Sequence, residues 1–431
     1  MELTDFDCNQ FIAILQEELV PALGCTEPIA IAYAGAHARA LLGKIPDRVC
    51  IKSSGNIIKN VKSVTVPNSG NMKGIPAAAA IGIIGGNPDK GLEVLADITE
   101  SDIARTKEFL EKIPCKVSLL DTVASLHFIV EVFAGADSAS VEIIHQHTNI
   151  VHTTKNGKDV LSVPFDPASA NAALTDRLGL SVKKILEFAD TINLDRVRPI
   201  LERQIDYNTR IAQEGLEHRY GINAGANLLK AAEAEQAVTL KIRAQAAAAA
   251  GSDARMSGCT LPVVTNSGSG NQGLTASLPV IVFAEEKKLP HDKLLRGLLV
   301  SNLIAIHQKT RIGRLSAYCG AVSAGCGSGA AITYLSGGSY EQVCETITNT
   351  LAVVSGIVCD GAKPSCASKI ATSVDAALNA HYLAMQNRVF EPGEGIVKGD
   401  IEKTIAGVGA VAADGMRETD KVILRIMVDD D

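Results

Sequence analysis

From Ser181 onward the chain stops spelling β-strands and turns to long, Ala- and Gly-rich helical patterns, as at residues 227–250 and 292–308. Before that point the opposite holds. β-Branched and apolar runs bounded by turn residues recur at 49–52, 63–66, 115–119, 126–133 and 140–147. Asn156-Gly157, between two further such runs, is a hairpin signal, because both residues tolerate the positive φ of a tight turn. Helical patterns intervene at 76–84 and 101–112, and Thr4 can cap a first helix carrying Phe11, Ile14, Leu15 and Leu19 on one face.

Strands gathered in one half and helices in the other predict an α+β fold. A chain of 431 residues also exceeds the ~250–300 residues over which a single core grows, so two domains are expected. The division is a mixed α/β domain over residues 1–165 and an Ala/Gly-rich all-helical domain over 166–415. The first helix is expected to pack across onto the second domain. An apolar run at 421–428 predicts that 416–431 returns to the sheet as a last strand, with a frayed Asp-rich tail. Small-residue segments at 251–253, 265–273 and 325–329 read as loops. Aromatic content of 4% with no Trp means the cores close with small side chains.

The net charge is −7 with no Lys/Arg stripe, which argues against nucleic acid or an anionic membrane as partner. No apolar run reaches membrane-spanning length, and the first residues lack the basic start of a signal peptide. A cytoplasmic protein is expected. Its ten cysteines are then reduced, and either catalytic, metal-binding or merely buried.

Two of those cysteines bracket the segment Cys359-Asp-Gly-Ala-Lys-Pro-Ser-Cys366, with helical patterns on both sides. Pro364 places Cys366 at a helix start, where the dipole favours thiolate. A third thiol is Cys319, forty positions upstream of Cys359, or its rival Cys326 in a Gly-rich stretch; spacing leaves both open. A structural zinc site closes with four protein ligands. Three thiolates instead suit a cubane iron–sulfur cluster with one iron left for substrate. Three buried, inert thiols are the plainer alternative.

Cys25, ahead of Thr26-Glu27-Pro28, also stands at a helix start, where a lowered pKa would make it a base or nucleophile; taken alone it reads as a simple helix start. Three Asn/Ser/Gly segments could cradle a carboxylate or phosphate: Ser53-Ser54-Gly55-Asn56, residues 68–71, and the stretch from Asn266 to Gly273. None matches a P-loop or a dinucleotide fingerprint. The last is dense in donors and is the expected site of substrate carboxylate binding. His145 and His147 share one strand face, a spacing that reads as surface polarity rather than a metal site. No Ser/His/Asp set and no pyridoxal-lysine motif is evident.

At Ala22-Leu-Gly-Cys25-Thr-Glu-Pro28, Ser53-Ser54-Gly55-Asn56, 266–273 and 359–366, the chain resembles the iron–sulfur L-cysteine desulfidase family, related to the L-serine dehydratase α chain. The resemblance runs nearly the whole length. It implies a 4Fe–4S cluster on Cys319, Cys359 and Cys366, and Cys25 as the acid/base. Substrate binding is expected at Ser53, Ser54 and Asn56 and at Asn266, Ser267, Ser269, Asn271 and Gln272. The short gap between the last two ligands points to the desulfidase branch rather than to the serine dehydratases. The implied reaction is PLP-independent β-elimination of L-cysteine to pyruvate, ammonia and hydrogen sulfide. The implied partners are a small amino-acid substrate and, as an option, a second copy in a homodimer. The alternatives are L-serine dehydration by the same mechanism, or a non-catalytic metal-binding or sensory protein.

Overall fold

The computed structural model describes residues 3–167 and 174–428. Thr4 closes a capping box with Asp7 and starts α1 (Asp5–Glu18). A short strand, β1 (Pro21–Leu23), leads into α2 (Thr26–Leu42), which ends on Gly43 with φ 82°. There follow β2 (Arg48–Ser53), α3 (Gly55–Val61), α4 (Gly74–Gly85), α5 (Glu100–Lys112), β3 (Cys115–Leu119), β4 (His127–Ala134), β5 (Asp137–Ile144), β6 (Ile150–Lys155) and β7 (Lys158–Ser162).

Six strands form one mixed sheet in the order β3-β2-β4-β5-β6-β7, parallel only between β2 and β3. The β6–β7 turn is the Asn156-Gly157 hairpin, with both residues at positive φ. Along β4, Phe128, Val130 and Val132 are fully buried while Ile129 and Glu131 face outward, the period-two alternation of a sheet covered on one face. Its cover is α2 backed by α4. These two helices nearly touch backbones: a Cβ on Gly82 would lie 2.1 Å from the Ala32 carbonyl oxygen.

After residue 174 the chain is helical: α6 (Val182–Thr191), α7 (Arg198–Glu217), α8 (Ala224–Ala234), α9 (Leu240–Met256), α10 (Gly270–Glu286), α11 (His291–Ile312), α12 (Gly320–Leu335), α13 (Tyr340–Val354), α14 (Cys366–Ala384), α15 (Ile401–Ala410) and α16 (Arg417–Val428). One short strand, β8 (Pro262–Val264), interrupts them. The fold is α+β, as the sequence pattern predicts. One large core unites these helices with α1, where Phe11 meets Phe188 edge-on at 5.3 Å; the other lies between the sheet, α2 and α4.

Several local expectations fail for identifiable reasons. The segments 251–253 and 325–329 are not loops but lie inside α9 and α12. Their neighbours explain the small residues: a Cβ on Gly327 would stand 2.4 Å from the Ser301 carbonyl oxygen, so glycine here permits helices to approach. The helical pattern at 227–250 breaks into α8 and α9. Residues 63–66 contribute only an isolated bridge, Thr65 to Lys73, before Pro67 stops pairing. The end of the chain is not a strand on the sheet: 421–428 belong to α16, whose Leu424 packs on Gly55 and whose Lys421 pairs with Glu418 one turn away. The three terminal aspartates lie outside the described residues. Among the described residues, no helix is long and apolar enough to cross a membrane.

Candidate functional site

Two helix starts from distant parts of the chain are brought together by a two-stranded pairing. β1 and β8 run antiparallel with Pro21 opposite Val264, and the Thr265 N–H donates to the Val20 carbonyl at 2.9 Å. The chain then turns at Gly24, whose φ of 52° and contact with Pro67 leave no room for a side chain. Cys25 caps α2. On the other side, residues 265–269 lead into α10, and the Thr26 hydroxyl donates to the Gly268 carbonyl at 3.0 Å. Cys25 is thereby held against the donor-rich segment.

The other cysteines arrive from the opposite wall. Cys319 caps α12, and a backbone bridge between Tyr318 and Val358 sets Cys319 beside Cys359. The Cys319 N–H donates to Ile357 at 3.0 Å and the Cys359 N–H to Ala317 at 2.6 Å. Cys366 is the first residue of α14. Asp360, between them, is taken up by Lys363 and Lys369, which hold its carboxyl down at about 2 against the upward push of burial. Burial, and next the neighbouring Cys359, push the Cys319 thiol to about 12; burial likewise raises Cys366. Cys326 points elsewhere. It is fully buried within α12, with its Sγ 3.9 Å from the Ile347 carbonyl.

Cys319, Cys359, Cys366 and Cys25 line one cavity of about 100 Å³, together with Ser267, Ser269, Asn271 and Gln272. Asn266 does not reach it; its amide donates to Asn302 Oδ1 at 3.0 Å in a buried amide network. Nor do the residues of the 53–56 segment line this cavity. Ser53 is buried at the end of β2, and Ser54 donates to the Ser125 carbonyl at 2.8 Å. Ser54 and Asn56 border a second cavity of about 540 Å³, which shares Arg314, Leu315 and Ser316 with the first.

The structure adds residues that motif reasoning missed: Glu27, Asn60, His147, Arg255, Lys309 and Arg314 all line the cysteine cavity. Glu27 stands inside the Cys25-Thr-Glu-Pro segment, so its position was visible and only its role was not. His147 is a correction. It is 7% exposed rather than a surface residue, with its Nε2 unpartnered, and burial pushes it down to about 4. For the remaining four no sequence signal existed.

The electrostatics of Cys25 also differ from expectation. The helix start should favour thiolate, yet complete burial and the adjacent Glu27 carboxylate raise the thiol well above its usual range. Cys25 Sγ donates to Glu27 Oε2 at 3.0 Å, and Asn60 Nδ2 donates to Glu27 Oε1 at 3.0 Å. Burial alone would raise Glu27; His147, the Cys25 hydrogen bond and Arg255 outweigh it and hold the carboxyl below its ordinary value. At neutral pH the cavity therefore contains a thiol, a carboxylate and a neutral imidazole. Lys309, lowered to about 8 by burial, faces Cys359 and Cys319.

A protein-family model described as serine dehydratase alpha chain matches residues 89–425. The chain is 57% identical to a UPF0597 protein of Treponema denticola over 431 residues, the full length of both. It is 54% identical to a UPF0597 protein of Lachnoclostridium phytofermentans over 420 residues, 97% of this chain and 99% of that one. A UPF0597 protein of Desulfitobacterium hafniense is 50% identical over 428 residues, 99% and 98% of the two chains.

Proposed function

This chain belongs to the serine dehydratase alpha-chain family and, within it, to the UPF0597 group, and from that premise we propose that it is a lyase that eliminates the β-substituent of a small α-amino acid, with L-cysteine as substrate. Its products would be pyruvate, ammonia and hydrogen sulfide. One observation carries this reading: Cys319, Cys359 and Cys366 line the same cavity as Cys25.

The candidate ligands on the cavity wall are all sulfur. The cavity wall offers three thiols, with Cys359 near enough to add to the upward push of burial on Cys319 and Cys366, and Lys309 and Lys369 beside them to balance negative charge. An all-sulfur set of three is suited to a 4Fe–4S cluster. When bound there, such a cluster supplies a Lewis-acidic open iron that polarises the leaving sulfur.

This chain's own residues handle the proton. Cys25 Sγ takes the substrate's Cα proton as its own proton passes to Glu27 Oε2, 3.0 Å away, and the β-sulfur departs, so no free thiolate need accumulate. Asn60 steadies Glu27 through its other oxygen. The resulting aminoacrylate tautomerises and hydrolyses to pyruvate and ammonia. L-Serine is the second reading, favoured by the family's description.

The test is anaerobic reconstitution with iron and sulfide, followed by pyruvate and sulfide assays on L-cysteine and L-serine in parallel. Pyruvate with matching sulfide from L-cysteine is the expected result. Pyruvate from L-serine alone would move the assignment to the dehydratase. A colourless protein inert to both would leave a non-catalytic metal-binding role.

A further inference from the structure

Three lining residues of the cysteine cavity carry a permanent or near-permanent positive charge: Arg255, Lys309 and Arg314. Two are committed. Arg314 donates to Glu18 Oε1 at 2.9 Å, and Lys309 donates to the Arg314 carbonyl at 3.4 Å while facing Cys319 and Cys359. Arg255 is different. It is 2% exposed, yet among the described residues it has no hydrogen bond and no carboxylate within ion-pair distance, and its Nε is buried without a partner. Glu27 and Cys25 feel its charge without touching it. A buried guanidinium left without an anion is costly, because its Nε–H loses water and gains no acceptor while its charge stays uncompensated.

The surroundings of Arg255 show what would complete it. Its guanidinium lies against Gly270, where even a Cβ would meet Nε at 2.4 Å, so it sits at the first residue of α10. A 17-residue helix directs its positive end there, reinforcing the attraction for an anion. In the same first turn, Asn271 Oδ1 and Gln272 Oε1 are buried acceptors without donors. The Gln272 amide packs on Gly320, beside Cys319. The cavity thus presents an unpaired cation at Arg255 and, beside it, two amide oxygens free to accept.

We propose that Arg255 binds the α-carboxylate of the substrate, with Asn271 and Gln272 accepting from its α-ammonium, so that the site takes free α-amino acids and refuses their esters and the corresponding amines. This rests on the elimination reading for its substrate class, but binding and chemistry separate experimentally. A neutral ester cannot satisfy the guanidinium, and an amine lacking the carboxyl brings no anion at all. With the carboxylate at Arg255 and the ammonium at Gln272, the small β-substituent has only the thiol side of the cavity left to occupy.

The experiment is calorimetric binding to the anaerobically purified protein, with L-alanine as an unreactive probe beside L-alanine methyl ester and ethylamine. Wild-type protein should bind L-alanine and neither analogue. Arg255→Met should weaken L-alanine binding ~10–100-fold, the worth of a charge-assisted hydrogen-bond pair, with Arg255→Lys intermediate. Iron content should be unchanged in both. Ester bound as tightly as the acid by wild type, no L-alanine binding by wild type, or full L-alanine affinity in a folded Arg255→Met protein would each overturn the assignment. The wild-type comparison needs no variant, so a misfolded Arg255→Met still leaves a decision. If L-alanine binding depends on Arg255 while L-cysteine yields no pyruvate, the elimination chemistry fails and the carboxylate site stands.

Discussion

Cys25 and Glu27 are joined by a 3.0 Å hydrogen bond from Sγ to Oε2, between the cap of α2 and its second residue. The helix start alone would favour a thiolate at Cys25, but burial, and next the Glu27 carboxylate at this distance, reverse that preference. Glu27→Gln removes the negative charge and should lower the pH at which Cys25 becomes reactive. The measurement is the pH dependence of Cys25 alkylation in the cluster-free protein, mapped by peptide mass spectrometry. An unchanged midpoint would show that burial alone governs the thiol. Turnover should fall by ~10²–10⁴-fold in the same variant if Glu27 receives the proton, and Cys25→Ser should lose as much.

Cys319→Ala, Cys359→Ala and Cys366→Ala should each lose iron and the visible absorbance of the reconstituted protein, whereas Cys326→Ala should keep both. The reason is position: the first three line the cavity, and Cys326 is enclosed within α12. Iron and acid-labile sulfide per chain decide the matter. Iron lost in Cys326→Ala but kept in Cys319→Ala would reverse the third ligand.

His147 carries a pH signature. Burial holds it at about 4 in the folded chain against 6.5 when free. Above pH 6.5 it is neutral in both states and costs nothing. As pH falls from 6.5 towards 4, the unfolded chain takes up a proton that the folded chain refuses, so stability present above that window is lost within it. His381, also lowered to about 4 by burial, adds to the same loss. His147→Gln should therefore lose less stability than wild type between pH 7 and pH 5, read from urea midpoints of the cluster-free protein. Parallel losses in the two proteins would refute this account.

Gly82→Ala probes the support under Cys25. The added Cβ would lie 2.1 Å from the Ala32 carbonyl oxygen, so α4 must move away from α2, the helix that Cys25 caps. Overpacking of this kind costs about 1–3 kcal/mol. A lowered denaturation midpoint together with changed Cys25 alkylation is expected. A variant as stable as wild type would mean that the two helices separate freely.

Strand alternation before residue 165, Ala-rich helical patterns after 181 and the Asn156-Gly157 turn are local signals, and each is written in the sequence where it acts. For the same reason the helix starts at Cys25 and Cys366 are legible from the prolines beside them. Glycine misleads where its purpose is distant: at 251 and 325–329 it marks helices touching other helices, not turns. The run at 421–428 fits strand and helix alike, and its packing on α3 decides for helix.

The candidate site divides along the same line. Sequence by itself determined Cys359, Cys366, Cys25 and the donor-rich segment from Asn266 to Gly273, because special residue types cluster there within a few positions. Only the tertiary structure decided that Cys319 rather than Cys326 enters the cavity, that the 53–56 segment borders a different one, and that Arg255 and His147 stand inside. Burial and charge are properties of neighbours supplied by other parts of the chain. The β1–β8 pairing brings residues 21 and 264 together across more than half the molecule, and no local pattern records whether an arginine so enclosed will find a carboxylate or wait for one.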